Sequence, residues 1–71
     1  MNLAYNTIIL NGETLNCISL MSIYDLLVYL EFDVSRVVVE YNSKIIPNND
    51  FDNILINNND RLEVITIVGG G

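Results

Sequence analysis

Histidine and tryptophan are absent from this 71-residue chain, and cysteine and proline occur once each. Without histidine the commonest general base and the commonest neutral metal ligand are both missing, so neither a triad-type hydrolase nor a metal site is expected. A lone cysteine, Cys17, cannot build an internal disulfide framework and points to a reducing compartment. Positive charge is scarce as well, with Arg36, Lys44 and Arg61 set against nine acidic residues for a formal net charge of −6. Binding to a phosphate backbone requires clustered Lys and Arg that release counterions, so nucleic acid and anionic membrane are not expected partners. Residues 1–6 lack both a basic start and a long apolar run, so no secretory leader is expected. No stretch approaches the roughly 20 apolar residues of a membrane span. The expected location is cytoplasmic, or the plastid stroma if the gene is organellar, because a chain heavy in Asn and Ile and poor in Ala and Arg is what AT-rich coding DNA produces.

What is present is a half-apolar sequence, 51% hydrophobic, of a length that holds one core. At this size folding removes only roughly 60% of the unfolded chain's surface from water, which leaves little room for a deep catalytic cleft. The acidic surplus keeps a small protein soluble and can steer it toward a basic face on another protein. Most of these acids need be no more than a solvated surface.

Residues 3–10, Asn6 excepted, are apolar, aromatic or β-branched and run into Asn11-Gly12, a pair suited to a tight hairpin because both tolerate positive φ. The returning strand is expected over residues 14–18. Ser22 can cap a helix, with Asp25 three residues on in capping-box position. Ile23, Leu26, Leu27 and Leu30 follow at i, i+3, i+4 and i+7 and so share one face. Burial of each leucine is worth about 1.5–3 kcal/mol, which makes this helix the main plug of the core. Val37, Val38 and Val39 favour a strand over residues 36–41. Asn42 and Ser43 turn the chain, residues 44–46 return, and Pro47 ends the segment. Residues 48–53 are polar, with room for a single helical turn, and residues 54–56 are expected to form a short edge strand. After the turn-forming cluster 57–60, a last strand is expected over residues 61–68, with Leu62 and Val64 toward the helix and Glu63, Ile65 and Ile67 away from it. Hairpin, helix, strand, crossing and final strand is the α+β order of a β-grasp, a mixed sheet holding one helix on one face, with the first and last strands parallel and adjacent at its centre. Residues 1–68 are expected to form the domain and residues 69–71 a flexible tail.

Terminal Gly69, Gly70 and Gly71 admit two readings. They can be simple terminal disorder, or a thin, conformationally free peptide bearing a carboxylate, reaching about 10 Å past Val68 into channels too narrow for the domain. A disordered tail more often contains Ser, Lys, Glu or Pro, whereas here an apolar strand leads through Val68 directly into glycine and the sequence ends. A carboxylate accepts a nucleophile only after gaining a better leaving group, which an enzyme supplies by letting it attack the α-phosphate of ATP.

Asp60-Arg61-Leu62-Glu63-Val64-Ile65, the ending Val68-Gly69-Gly70-Gly71, the stretch Glu40-Tyr41-Asn42-Ser43-Lys44-Ile45-Ile46-Pro47 and the early Leu10-Asn11-Gly12 together resemble the ThiS family, the ubiquitin-like sulfur carriers of thiamine biosynthesis. The resemblance covers the chain from about Thr7 onward and is most specific at its C-terminal end. It implies that the protein is not itself an enzyme and binds no cofactor. A ThiF-like adenylating enzyme would use ATP to activate Gly71. A cysteine desulfurase or sulfurtransferase would supply sulfur to make a thiocarboxylate, and a ThiG-like thiazole synthase would receive it. Gly69 and Gly70 would thread into the partners' sites. The extra residues 2–5 are expected to extend the first strand beyond the family's usual start.

Val38, Ile65 and Ile67, on the sheet face away from the helix, are candidate docking residues for a partner, unless the crossing segment around Phe51 covers them. Cys17 has no basic neighbour in sequence and reads as a buried, unreactive side chain. Tyr24, Asp25 and Tyr29 fall on the outer helix face. Two other readings stand beside the thiamine carrier. One resembles the small subunit of molybdopterin synthase, which shares fold and glycine ending but often has prolines just before the glycines, absent here. The other is a β-grasp interaction module that acts only by binding.

Overall fold

The computed structural model describes residues 4–68. Among these, the strands are β1 (Tyr5–Leu10), β2 (Glu13–Ile18), β3 (Val37–Tyr41), β4 (Lys44–Ile46) and β5 (Arg61–Thr66), with one α-helix, α1 (Ile23–Tyr29), and 3-10 helices at Val34–Arg36 and Asn48–Asn53. The strands form one mixed sheet in the order β2-β1-β5-β3-β4. β1 pairs with β5 in parallel through Ile9↔Arg61 and Leu10↔Leu62, and every other pairing is antiparallel. This is the expected β-grasp.

The hairpin turns follow local chemistry. Asn11 and Gly12 have φ of 49° and 84°, and Asn42 and Ser43 have 48° and 73°, the doubly left-handed geometry of tight hairpins that match strand twist. The helix begins as its sequence dictates. The Asp25 amide donates to Ser22 Oγ at 3.0 Å and the Ser22 amide to Asp25 Oδ2 at 3.1 Å, a reciprocal capping box. Its end was not readable in advance. Glu31 takes φ of 64°, and the Phe32 amide reaches back to the Leu27 carbonyl at 2.9 Å while Glu31 reaches Val28 at 3.0 Å. That is a Schellman stop with glutamate where glycine is usual. Leu30 therefore sits at the C-cap and is only half-buried.

Ile23, Leu26 and Leu27 pack with Ile8, Val37, Val39, Phe51, Ile56, Leu62 and Val64 into one core between the helix and a single sheet face. Several expected boundaries shift. β1 begins at Tyr5 and β2 at Glu13, Arg36 belongs to a 3-10 turn, and β5 ends at Thr66. The expected edge strand at 54–56 does not form: Leu55 makes one isolated bridge to Ser22. The partner segment winds into α1 immediately after Ser22, so only the flanking bonds Ile23 amide to Ile54 carbonyl (3.0 Å) and Ile56 amide to Met21 carbonyl (2.9 Å) are made, and no ladder can propagate. No helix among the described residues is long and apolar enough to cross a membrane.

Phe51, 2% exposed, seats the crossing segment against α1. Removing a buried aromatic costs about 3–5 kcal/mol, while a chain of this size has only about 4–10 kcal/mol in total. Phe51→Ala is expected to lower the urea midpoint, followed by far-UV circular dichroism, by a third or more. A loss under about 1 kcal/mol would contradict its place in the core.

Candidate functional site

The candidate site is the end of β5 and the sheet surface around it. Gly69, Gly70 and Gly71 lie outside the described residues. What the structure fixes is the strand that leads to them. β5 occupies the middle of the sheet, with Leu62 and Val64 buried toward the helix and Glu63, Ile65 and Ile67 exposed. Beyond Thr66 one more bond continues the pairing with the β3 side, from the Ile67 amide to the Arg36 carbonyl at 2.7 Å.

On the face opposite α1, Val38 stands directly across from Ile65, and Glu40 pairs with both Glu63 and Ile45. Ile45, Ile65, Ile67 and Val68 are 70, 63, 53 and 82% exposed, while Val38 is half-buried. The crossing segment does not cover these residues, because Phe51 is committed to the helix-side core. The structure thus gathers Val38, Ile65 and Ile67 into one apolar strip that runs to the tail, and adds Ile45. The sequence hid Ile45 because a three-residue strand has too little periodicity to assign a face. Glu40 opposite Glu63 places two carboxylates side by side on neighbouring strands, an arrangement that weakens a sheet unless something cationic approaches. Among the described residues the only salt bridge is Arg36–Asp33, at 3.7 Å.

The start of β5 is held by a polar knot around Asp60, which is 8% exposed. Its Oδ2 accepts from the Tyr41 hydroxyl and from the Asn57 amide at 2.7 Å, and its Oδ1 accepts from Asn42 Nδ2 at 3.1 Å. Asn42 Oδ1 in turn accepts from the Arg61 amide at 2.9 Å. Every buried carboxylate oxygen is therefore paired, as burial of a charge demands. Burial, with the Asp60 hydrogen bond and charge added, pushes the Tyr41 phenol up to about 12. In sequence, the motif Asp60-Arg61-Leu62 gave no sign that its acid is internal.

Cys17 is 5% exposed, and burial, with the Asp60 charge second, raises its thiol above its ordinary value, which disfavours the reactive thiolate. It borders a pocket of about 210 Å³ lined also by Tyr5, Asn16, Ile18, Met21 and Tyr29. That is smaller than the roughly 300–1,000 Å³ of typical small-molecule sites, and none of these side chains carries a formal charge at neutral pH.

A mixed five-stranded sheet gripping one helix, with the final strand central and leading into the C-terminal segment, defines a ubiquitin-like β-grasp protein. The sequence pattern of the ThiS family matches residues 8–71, and the chain belongs to that family. It is 45% identical to "uncharacterized protein ycf40" of Porphyra purpurea over 62 residues, covering 87% of each chain. Identity to the protein of the same name from Pyropia yezoensis is 48% at the same coverage. It is also 34% identical over 64 residues to a thiazole synthase of Paramagnetospirillum magneticum, taking in 90% of this chain and 20% of that protein. Among solved structures, the crystal structure of the thiamine biosynthesis protein ThiS from Geobacter metallireducens superposes with a TM-score of 0.79 at 24% identity, covering 92% of this chain and 99% of that one.

The Tyr41–Asp60 contact carries a pH signature. The folded state keeps the phenolic proton up to about 12, whereas an unfolded tyrosine releases it near about 10. Between those values the unfolded chain binds fewer protons, so stability falls as pH rises. Urea denaturation across pH 9–12 is expected to show this loss, and Tyr41→Phe is expected to start less stable but to lose less over the window. An identical slope in the two proteins would contradict the assignment.

Proposed function

We propose that this protein is a sulfur carrier of thiamine biosynthesis, a small co-substrate that performs no catalysis of its own. The observation that carries the reading is the ThiS family match extending through Gly71 on a fold whose central last strand leads to that residue. The Gly71 carboxylate attacks the α-phosphate of ATP on a ThiF-like enzyme, pyrophosphate departs, and an acyl-adenylate results. The terminal sulfur of a persulfide on a cysteine desulfurase or sulfurtransferase then displaces AMP to give an acyl disulfide, and a second thiol cleaves its S–S bond, forming a disulfide with the donor's cysteine and releasing the tail as a thiocarboxylate. A ThiG-like thiazole synthase receives that sulfur for ring formation. The likeness of nearly this whole chain to one-fifth of a protein named thiazole synthase supports that last partnership. A plastid setting, with the stroma as the place of action, is supported by the Asn- and Ile-rich composition and by the likeness to ycf40 proteins. The chemistry asks of the carrier only a narrow tail free of side chains and a body that docks beside the channel. Gly69 and Gly70 supply the narrowness, and Val38, Ile65 and Ile67, with Ile45, supply an apolar docking strip.

Two tests follow. Incubation with ATP and the adenylating enzyme is expected to add the mass of AMP at Gly71, and then to exchange one terminal oxygen for sulfur when a donor is supplied. Deleting Gly71, or fusing a tag after it, is expected to abolish both changes with the far-UV spectrum intact. A tagged protein that still supports thiazole formation without losing its tag would refute the reading. Separately, Ile65→Lys is expected to weaken binding to the adenylating enzyme by about tenfold or more while leaving thermal stability nearly unchanged, because the position is exposed and lies beside Glu40 and Glu63. Unaltered affinity by calorimetry would remove the strip from the docking surface.

A further inference from the structure

Parallel pairing between β1 and β5 stops after Leu10↔Leu62, because Asn11 and Gly12 turn the chain away with φ of 49° and 84°. β5 nevertheless continues to Thr66. From Asp60, just before β5, alternate residues face the β1 side: the Asp60 and Leu62 carbonyls accept from the Ile9 and Asn11 amides, each at 2.9 Å. Val64 is next in that series, and β1 has no backbone left to meet it. The Asn11 side chain meets it instead. Oδ1 accepts from the Val64 amide at 2.7 Å, and Nδ2 donates to the Val64 carbonyl at 3.2 Å. A carboxamide carries the same donor and acceptor as a peptide group, so one side chain reproduces the missing strand residue. The left-handed backbone at Asn11 accounts for an asparagine in the turn, but it does not require either bond to Val64.

We propose that Asn11 is a positioning residue for the terminal acyl chemistry, a side-chain splint that fixes the direction in which β5 leaves the sheet. The catalytic half of this inference rests on the carrier reading above. Through Val64 the strand is held on both edges. Beyond it, among the described residues, the backbone bonds come from the β3 side alone, as at Ile67. Val64 is therefore the last point at which the direction of exit is set from both sides. Val68 lies about 13 Å further along an extended strand, and a tilt of about 10° at Val64 moves it by about 2 Å, when misplacement by about 1 Å can cost on the order of 100-fold in rate. With the body docked by its apolar strip, a misdirected strand must be bent back before the tail enters the enzyme's channel.

The test compares the full-length wild type with three variants. Asn11→Gly keeps the positive φ and removes the splint. Asn11→Asp keeps an acceptor for the Val64 amide and sets a carboxylate oxygen against the Val64 carbonyl. Asn58→Ala is the control: Asn58 Oδ1 accepts from the Thr7 amide at 2.7 Å, a side-chain clamp on a backbone amide within β1 rather than on β5. Hydrogen exchange at the Val64 amide, read by NMR, is expected to quicken about tenfold or more in Asn11→Gly and to stay near wild type in Asn58→Ala. Pyrophosphate release by the adenylating enzyme, with carrier as the varied substrate, is expected to show kcat down about tenfold in both Asn11 variants, KM within twofold, and wild-type kcat in Asn58→Ala. If Asn11→Gly does not fold, Asn11→Asp decides. Wild-type kcat in the Asn11 variants, or an equal fall in Asn58→Ala, overturns the positioning role. A wild-type protein that is never adenylated refutes the carrier reading instead, and unchanged exchange at Val64 refutes the splint by itself.

Discussion

The structure depends on Leu62 and Val64 being drawn into the core between β1 and β3, which holds the last strand of the chain at the centre of the sheet. This is the contact of longest sequence separation in the sheet, and its closure entropy must be met by burial. Ile8 from one end of the chain, Leu26 and Leu27 from the helix and Phe51 from the crossing segment share one buried cluster with that strand. A terminal segment on an edge strand could fray without disturbing the core. Held at the centre, the strand up to Val64 is paired on both edges and packed on its inner face, so the residues that follow start from a defined place and direction.

Where backbone pairing runs out, asparagine side chains take over. Asn11 meets Val64, Asn42 meets the Arg61 amide, Asn58 meets the Thr7 amide, Asn6 donates to the Ile56 carbonyl at 3.0 Å and Asn48 to the Val34 carbonyl at 3.0 Å. Five short strands and two 3-10 turns leave many unpaired peptide groups near the surface, and a carboxamide can satisfy either kind. The asparagine content is therefore structurally employed, whatever nucleotide bias supplied it. Asp60 does the same work with a charge: it ties Asn57, Asn42 and Tyr41 to the point where β5 begins.

The two faces of the sheet divide the labour. The inner face is buried beneath α1 and Phe51, and the outer face keeps Val38, Ile45, Ile65 and Ile67 beside the Glu40–Glu63 pair, next to the start of the tail. A stable monomer gains nothing from exposed isoleucines or from opposed carboxylates. Both features are accounted for if another protein closes over this surface while the tail is engaged.

Local rules were enough to place most elements. The Asn11-Gly12 and Asn42-Ser43 turns, the Ser22–Asp25 capping box, the valine-rich β3 and the alternation Leu62, Val64 against Ile65, Ile67 are all set by neighbours within a few residues, and the sequence alone carried them. The glycine ending and its motifs carried the family. Other features needed partners distant in the chain. The helix stop at Glu31 has no glycine to announce it, and the would-be strand at 54–56 is cut short by the helical commitment of Ser22. The burial of Asp60 depends on Tyr41 and Asn42, and the second role of Asn11 on a residue 53 positions away. Short-range periodicity and turn chemistry determine which elements form. Which polar groups are left over, and which side chains satisfy them, is decided only when the strands stack, because those debts of hydrogen bonding do not exist until the sheet is assembled.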